Sequence, residues 1–262
     1  MKKYVVAGLG EIGSPIYKLL SKKYDTVGYD KELKLMNQTE FKKFQSLQTS
    51  FLHIAIPVNK NFDANILKLN KKFLPECIVI HSTISPGTTQ RLQKLLSIPL
   101  IFSATRGVHK RMLKDLQRYT KFFAISSFAP RKEWAIKKFN KQMKDCGIKT
   151  KQMSKPETLE LGKIICDTSY LGWLINYSQI SNMIAKSYGV DYDEMWEFSD
   201  EIHQILGNRP KLYPGFIGGH CVIPNLELIH NETLDLIKSL NKSYLKKIKN
   251  AKSINKKYLK NK

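Results

Sequence analysis

The segment V-V-A-G-L-G-E-I-G-S near the start of the chain limits what the sequence can fold into more than any other. Gly8, Gly10 and Gly13 make G-x-G-x-x-G directly after the short β-branched run 4–7, where a helix through residues 16–20 opens. The first glycine permits a tight turn and the second lets backbone amides approach a pyrophosphate. The third lets helix and strand pack closely, with phosphates resting on the helix N-terminus. A second strand at 26–29 ends at Asp30, where a carboxylate accepts from a ribose 2′-hydroxyl. Strand, loop, helix, strand and acid in this order point to NAD rather than NADP, bound by Gly8, Gly10, Glu11, Ile12, Gly13 and Asp30. The alternative is a dinucleotide fold whose loop holds nothing.

Further strand-like runs at 51–56, 77–81, 100–103 and 122–126 alternate with helical stretches. Such alternation implies a parallel sheet covered by helices. Near residues 151–156 the pattern changes, and from 157 to about 188 the chain reads as one long helix. Cys166, Tyr170, Trp173, Tyr177, Ile180 and Ile184 fall on one side, and Leu161, Ile164, Leu171 and Ile175 on the other. A helix apolar on two opposed sides has to be covered on both, within a domain or by a second subunit, which predicts a homodimer through 157–188. Gly189 ends this helix, 191–206 is a second one, and a loop rich in Pro and Gly follows. The expected fold class is α/β, a Rossmann dinucleotide-binding domain over 1–154 followed by an all-helical domain over 155–232. Residues 233–262 read as a basic tail.

The 262 residues carry a net charge of +22, with ten lysines and no acid over 238–262. No aromatic stacking platform accompanies that charge, so nucleic acid is not the expected partner, and a solvated lysine-rich end accounts for it. No run approaches the roughly 18–20 apolar residues of a membrane span. The start, M-K-K-Y-V-V-A-G-L-G, has too short an apolar run and no cleavage pattern for a signal peptide. A cytoplasmic protein without a membrane partner is expected. The four cysteines, Cys77, Cys146, Cys166 and Cys221, are far apart and include no C-x-x-C, which argues against disulfides, and no metal site is expected.

Two more segments could carry chemistry. H-S-T-I-S-P-G-T-T at 81–89 follows a strand, so Ser82 and Thr83 belong at the carboxyl end of the sheet, where ligands bind in open α/β folds. A Ser/Thr cap with a Pro-Gly turn explains the same letters. Y-P-G-F-I-G-G-H-C-V-I-P-N at 213–225 places Cys221 after Gly215, Gly218, Gly219 and His220. Such a thiol is a candidate nucleophile, and equally a buried structural cysteine.

Taken together, the Rossmann loop, I-A-I-P at 54–57, S-T-I-S-P-G-T-T, E-L-G-K at 160–163 and G-F-I-G-G-H-C resemble the UDP-glucose/GDP-mannose dehydrogenase family in order, over about residues 1–230. The resemblance implies an NAD-dependent oxidation of a primary alcohol to an acid by way of an aldehyde. Cys221 would form a thiohemiacetal and then a thioester, Lys163 would stabilise the developing oxyanion, and Thr83 and Pro57 would lie near the cofactor. It also implies dimerisation through the middle helix.

The chain departs from the family pattern in three places. The family's Asn four residues after the lysine and Asp four after the cysteine are here Asp167 and Asn225. Thr105 and His109 stand where the family carries glutamates, one of which serves thioester hydrolysis. His109 and Asp167 are the candidates to replace it. The family's C-terminal nucleotide-sugar-binding domain has no counterpart in the sequence, so the substrate class stays open. Two other functions remain alongside: a two-electron β-hydroxyacid-type dehydrogenase relying on Lys163, and a non-enzymatic NAD-binding protein with a nucleic-acid-binding tail.

Overall fold

The alternating runs of the first half form the strands β1 (Lys2–Ala7), β2 (Thr26–Tyr29), β3 (Gln48–Ile54), β4 (Cys77–Ile80), β5 (Leu100–Phe102), β6 (Lys121–Ile125) and β7 (Thr150–Gln152). Between them lie α1 (Gly13–Leu20), α2 (Gln38–Lys43), α3 (Phe62–Phe73), α4 (Thr88–Gln93), α5 (Met112–Arg118) and α6 (Lys132–Asp145). The computed structural model describes residues 1–250, which divide into two compact units, Met1–Lys163 and the part from Ile164.

In the first unit the sheet order is β2-β1-β3-β4-β5-β6-β7. Strands β1 to β5 pair in parallel, β6 runs antiparallel to β5, and β7 pairs parallel with β6. The order reverses at β1, so the crevice beyond the carboxyl ends of β1 and β3 is the topological switch point where such sheets bind ligands. Alternation along the strands fills both faces. Val5, Leu52, Ile54, Ile78, Ile80, Leu100 and Phe102 belong to one core, and Val6, Phe51, Val79, Ile101, Phe123 and Ile125 to the other. A sheet buried on both faces needs apolar residues at nearly every strand position, which is why these runs read as continuous.

Three polar side chains interrupt the second of these cores. His53 Nδ1 and His81 Nε2 are 2.9 Å apart, and His81 Nδ1 lies 3.1 Å from the Ser103 carbonyl oxygen. That oxygen can only accept, so His81 donates from Nδ1 and accepts the His53 Nδ1–H at Nε2. The Lys121 amine donates to the same carbonyl and to Thr105 Oγ1, at 3.1 and 3.2 Å. Burial, with the positive charge of Arg106 and then Lys163 behind it, lowers the Lys121 pKa to about 7, and burial lowers that of His53 to about 3.

The long helix of the middle region is present but changes register. It runs as α7 (Pro156–Leu161), a π-helical stretch Gly162–Ser169, and α8 (Tyr170–Ser187). Ser169 Oγ bonds back to the Ile164 carbonyl five residues earlier, at 2.8 Å. The π geometry widens the turn, and such segments recur at functional sites. α9 (Tyr192–Leu206), α10 (Val222–Leu226) and α11 (Glu232–Asn250) complete the second unit. Asp191 caps α9 by accepting from the amides of Asp193 and Glu194.

Of the apolar stripes of the long helix, Tyr170, Leu171, Tyr177 and Ile184 are exposed, so of the two ways of covering them it is cover within the chain that these residues lack. What α8 buries is Gly172, Asn176, Ser178, Gln179, Asn182 and Ala185. One expectation needs correction: much of the segment read as a basic tail is α11, which packs Leu234, Ile237, Asn241 and Tyr244 inward. Residues 251–262 lie outside the described residues. Among the described residues no helix is long and apolar enough to cross a membrane.

Candidate active site

At the switch point the glycine loop leaves β1 and turns into α1. Gly8 has φ +89°, a conformation that favours glycine, and its amide donates to the Tyr29 carbonyl at 2.9 Å. A Cβ on Gly8 would overlap the Ala55 carbonyl, and one on Gly13 would overlap the Gly8 carbonyl. Gly10 differs: a Cβ there would meet nothing within 4 Å. Two glycines are thus demanded by the protein's own backbone, while the middle one faces open space that a side chain would fill. Steric freedom at that position suits a pyrophosphate, so the loop fits a dinucleotide.

Asp30, half-buried at the end of β2, accepts from the Leu9 amide at 2.7 Å and the Glu32 amide at 3.0 Å. A carboxylate has about four acceptor sites, so Asp30 can brace the loop and still accept from a ribose hydroxyl. On the other side of the crevice, Ala55–Pro57 continues from β3, with Pro57 exposed. Ser82 donates to the Ile56 carbonyl at 2.6 Å, which ties the loop after β4 to the loop after β3. Its hydroxyl therefore holds protein to protein, and half-buried Thr83 is the neighbour left nearer solvent. Ile12 is half-buried and Glu11 exposed at the start of α1.

The turn at 86–89 is held by a residue to which the sequence had assigned no role. Glu160, fully buried in α7, accepts from the amides of Gly87 and Thr89 and from the Thr89 hydroxyl, at 2.6, 2.9 and 2.6 Å. Burial raises its pKa, against the pull of these three hydrogen bonds. The carboxylate thus caps α4, a task expected of a Ser or Thr, and joins S-P-G-T-T to the helix turn that carries Lys163. The only sequence signal was its place in E-L-G-K.

His109 follows β5, and its Nδ1 lies 2.9 Å from Glu11 Oε2. A residue considered for base chemistry is thereby joined to the cofactor loop. Thr105, the other position where the family has glutamate, is buried and accepts from Lys121. Lys163 is half-buried within the π-helical stretch, and exposed Asp167 lies one turn further on.

In the second unit Cys221 is an exposed cysteine outside any disulfide, at the start of α10. The buried structural cysteine considered from the sequence is therefore ruled out. Asn225 lies one turn later, half-buried. The glycine segment before Cys221 is gripped by amides. Asn241 Nδ2 donates to the Ile217 carbonyl at 2.9 Å, and Asn241 Oδ1 accepts from the Ile217 amide at 2.8 Å. Gln179 donates to the Gly215 carbonyl at 2.7 Å and to Asn241 Oδ1 at 3.1 Å, and Asn176 donates to Gln179 Oε1 at 2.8 Å.

No family model and no curated protein sequence matches the chain. Its fold is similar to that of solved structures of low sequence identity. A UDP-D-ManNAc dehydrogenase from Pyrococcus horikoshii is 17% identical over 92% of this chain and 68% of that one, with a TM-score of 0.73. A UDP-N-acetyl-mannosamine dehydrogenase from Staphylococcus aureus is 18% identical over 97% and 73%, with a TM-score of 0.69. A 3-hydroxyisobutyrate dehydrogenase from Mycobacterium tuberculosis is 13% identical over 93% and 91%, with a TM-score of 0.63. At these identities the likeness establishes the fold.

Proposed function

We propose that the chain is an NAD-dependent dehydrogenase that oxidises a primary alcohol of a sugar derivative to the acid, with Cys221 as covalent nucleophile. The observation that carries this is the glycine loop at the switch point, open at Gly10 and closed by Asp30. The similarity in fold to nucleotide-sugar dehydrogenases supports a nucleotide sugar as the substrate class.

In this reading Gly8, Gly10, Glu11, Ile12 and Gly13 hold the pyrophosphate, Asp30 the ribose, and Pro57, Ser82 and Thr83 line the nicotinamide end. Bound there, NAD supplies a hydride acceptor for each of two oxidations. The first converts the alcohol to an aldehyde. The Cys221 thiolate then adds to the carbonyl carbon, and Lys163 neutralises the oxygen as it gains charge. Loss of hydride from that carbon leaves a thioester on Cys221. Water attacks the thioester carbon, the C–S bond breaks, and the acid leaves with the thiol restored. His109, whose Nδ1 meets Glu11, is the base that takes the water's proton. Asp167 and Asn225 supply the carboxylate and amide whose positions the family has the other way round. The exposed stripe of Tyr170, Tyr177 and Ile184 on α8 is the face on which two copies would pair.

Without the family's glutamate at 109, deacylation is the slow step and the thioester accumulates. The test counts NADH per product with nucleotide sugars and sugar alcohols, with mass spectrometry on Cys221 during turnover. The expected result is two NADH for each acid, an acyl adduct on Cys221, and arrest at the aldehyde in Cys221→Ser. A second reading, a single oxidation by Lys163, is favoured by the match covering 91% of a 3-hydroxyisobutyrate dehydrogenase. One NADH per product, made equally well by Cys221→Ala, would establish it.

A further inference from the structure

We propose that Asn241 and Gln179 are positioning residues that present Cys221 for attack by holding the backbone four to six residues before it. This rests on the reading of Cys221 as the nucleophile.

The argument starts from an accounting of backbone groups. Ile217 is buried, lies in neither helix nor strand, and has both an N–H and a C=O to satisfy. Asn241, on α11, satisfies both with one side chain, its carbonyl oxygen on the N–H and its amino group on the C=O. That double contact sets the orientation of the amide, and Gln179 on α8 continues it by donating to Asn241 Oδ1 and the Gly215 carbonyl. Asn176 in turn donates to Gln179 Oε1. Asn241, Gln179 and Asn176 are all at least nine-tenths buried.

Apolar side chains of similar volume would fill this space without needing hydrogen-bond partners, so burial alone does not account for three amides. What they supply is direction. The Ile217 side chain enters the same small core as Val222, Leu226, Leu234 and Ile237. Residues 218–221 lie between two anchored points, Ile217 and Val222, with Gly219 at φ +75° allowing the turn. Where Ile217 is held bears directly on where the thiol stands, and the amides hold it. A nucleophile misplaced by an ångström loses most of its advantage, so the clamp acts on rate rather than on cofactor binding.

Asn241→Leu removes both bonds to Ile217, Asn241→Asp keeps the acceptor for its N–H and loses the donor, and Gln179→Met releases Gly215 from the loop together with its own bonds to Asn241 and Asn176. Two readouts apply to each. The first is kcat, KM and NAD affinity with the alcohol substrate. The second is the pH profile of Cys221 alkylation by iodoacetamide in a Cys166→Ala background, because Cys166 is the other exposed thiol among the described residues. The inference expects kcat about tenfold lower in Asn241→Leu and Gln179→Met, with NAD affinity unchanged. It also expects the alkylation midpoint to move by about half a pH unit or more. Asn241→Asp should recover part of kcat.

Lower melting temperatures with kcat and the alkylation profile at wild-type values would overturn the inference and leave the amides a structural role. If Asn241→Leu does not fold, Gln179→Met, which loses one loop contact, carries the same decision. Full four-electron activity in Cys221→Ser would instead sink the nucleophile reading, while the alkylation profile would still report whether the clamp sets the thiol's surroundings.

Discussion

The two units bury polar groups in opposite ways. In the first, the sheet is packed by apolar cores on both faces, and a line of ionisable groups, His53, His81 and Lys121, linked through the Ser103 carbonyl, interrupts one of them. In the second, the core is small, and α8 turns Asn176, Gln179 and Asn182 inward while exposing Tyr170, Leu171 and Tyr177. The difference teaches that burial answers two demands. A sheet covered on both sides needs volume, and apolar residues supply it. A loop held outside helix and strand needs direction, and neutral amides supply that without bringing a charge inside.

This contrast can be broken at three places. The largest effect belongs to the first unit's loop, where the backbone leaves no space. Gly13→Ala would drive a methyl group into the Gly8 carbonyl, and NAD affinity measured by calorimetry should fall by about a hundredfold. Retained affinity would mean that the glycine spacing is ornamental and the loop binds by other means.

Next comes pH. With the folded pKa of Lys121 lowered from 10.5 to about 7, the unfolded chain binds the extra proton between those values. Stability therefore rises with pH through that window, by no more than about 1.4 kcal/mol per unit, and the penalty is complete below it. His53, lowered from 6.5 to about 3, works toward the same end: stability is lost as pH falls between those values. Urea melts across pH 6–10 should show the alkaline rise in the wild type and its loss in Lys121→Met. An unchanged slope in that variant would remove the lysine from the account.

The smallest effect lies in the second unit. Asn182 donates to the Tyr244 hydroxyl at 3.0 Å, and both are buried. Asn182→Ala should cost about 1–3 kcal/mol, the same at every pH from 6 to 9, because the bond joins a neutral amide to a hydroxyl. A pH-dependent loss would show that the second unit's polar interior is not electrostatically neutral, and the contrast would fail.

The first unit was largely legible. Strand runs such as 77–81 and 122–126 are recovered to within a residue or two, because a strand buried on both faces writes its burial directly into its letters. β7 escaped because Thr150–Gln152 is a short, polar strand with little burial to record. The long helix was legible as a helix but not in what covers it. Its apolar residues do recur at helical spacing, but hydrophobic periodicity marks a face that something covers without saying what covers it. The π-helical stretch left no signal in composition. In the candidate site, Gly8, Gly13 and Asp30 could be named because each is constrained at its own position by the turn it makes. Glu160, Asn241 and Gln179 could not, since their partners are backbone groups whose addresses, 73, 24 and 36 residues away, no local pattern encodes.

The sheet's outer strands carry one more consequence, for how the chain behaves in company. β2 and β7 are the two edges, four and three residues long, and β7 places Lys151 at its centre with Lys151 and Gln152 exposed. An unpaired strand edge is a template for another chain's backbone, and edges this short, one with a lysine at its centre, offer little of it. The apolar centre, β3 and β4, is enclosed on both sides. The sheet is thereby protected from growing by strand addition, so a protein with this many exposed apolar side chains is shielded from fibril-like assembly at the sheet, where the danger would be greatest.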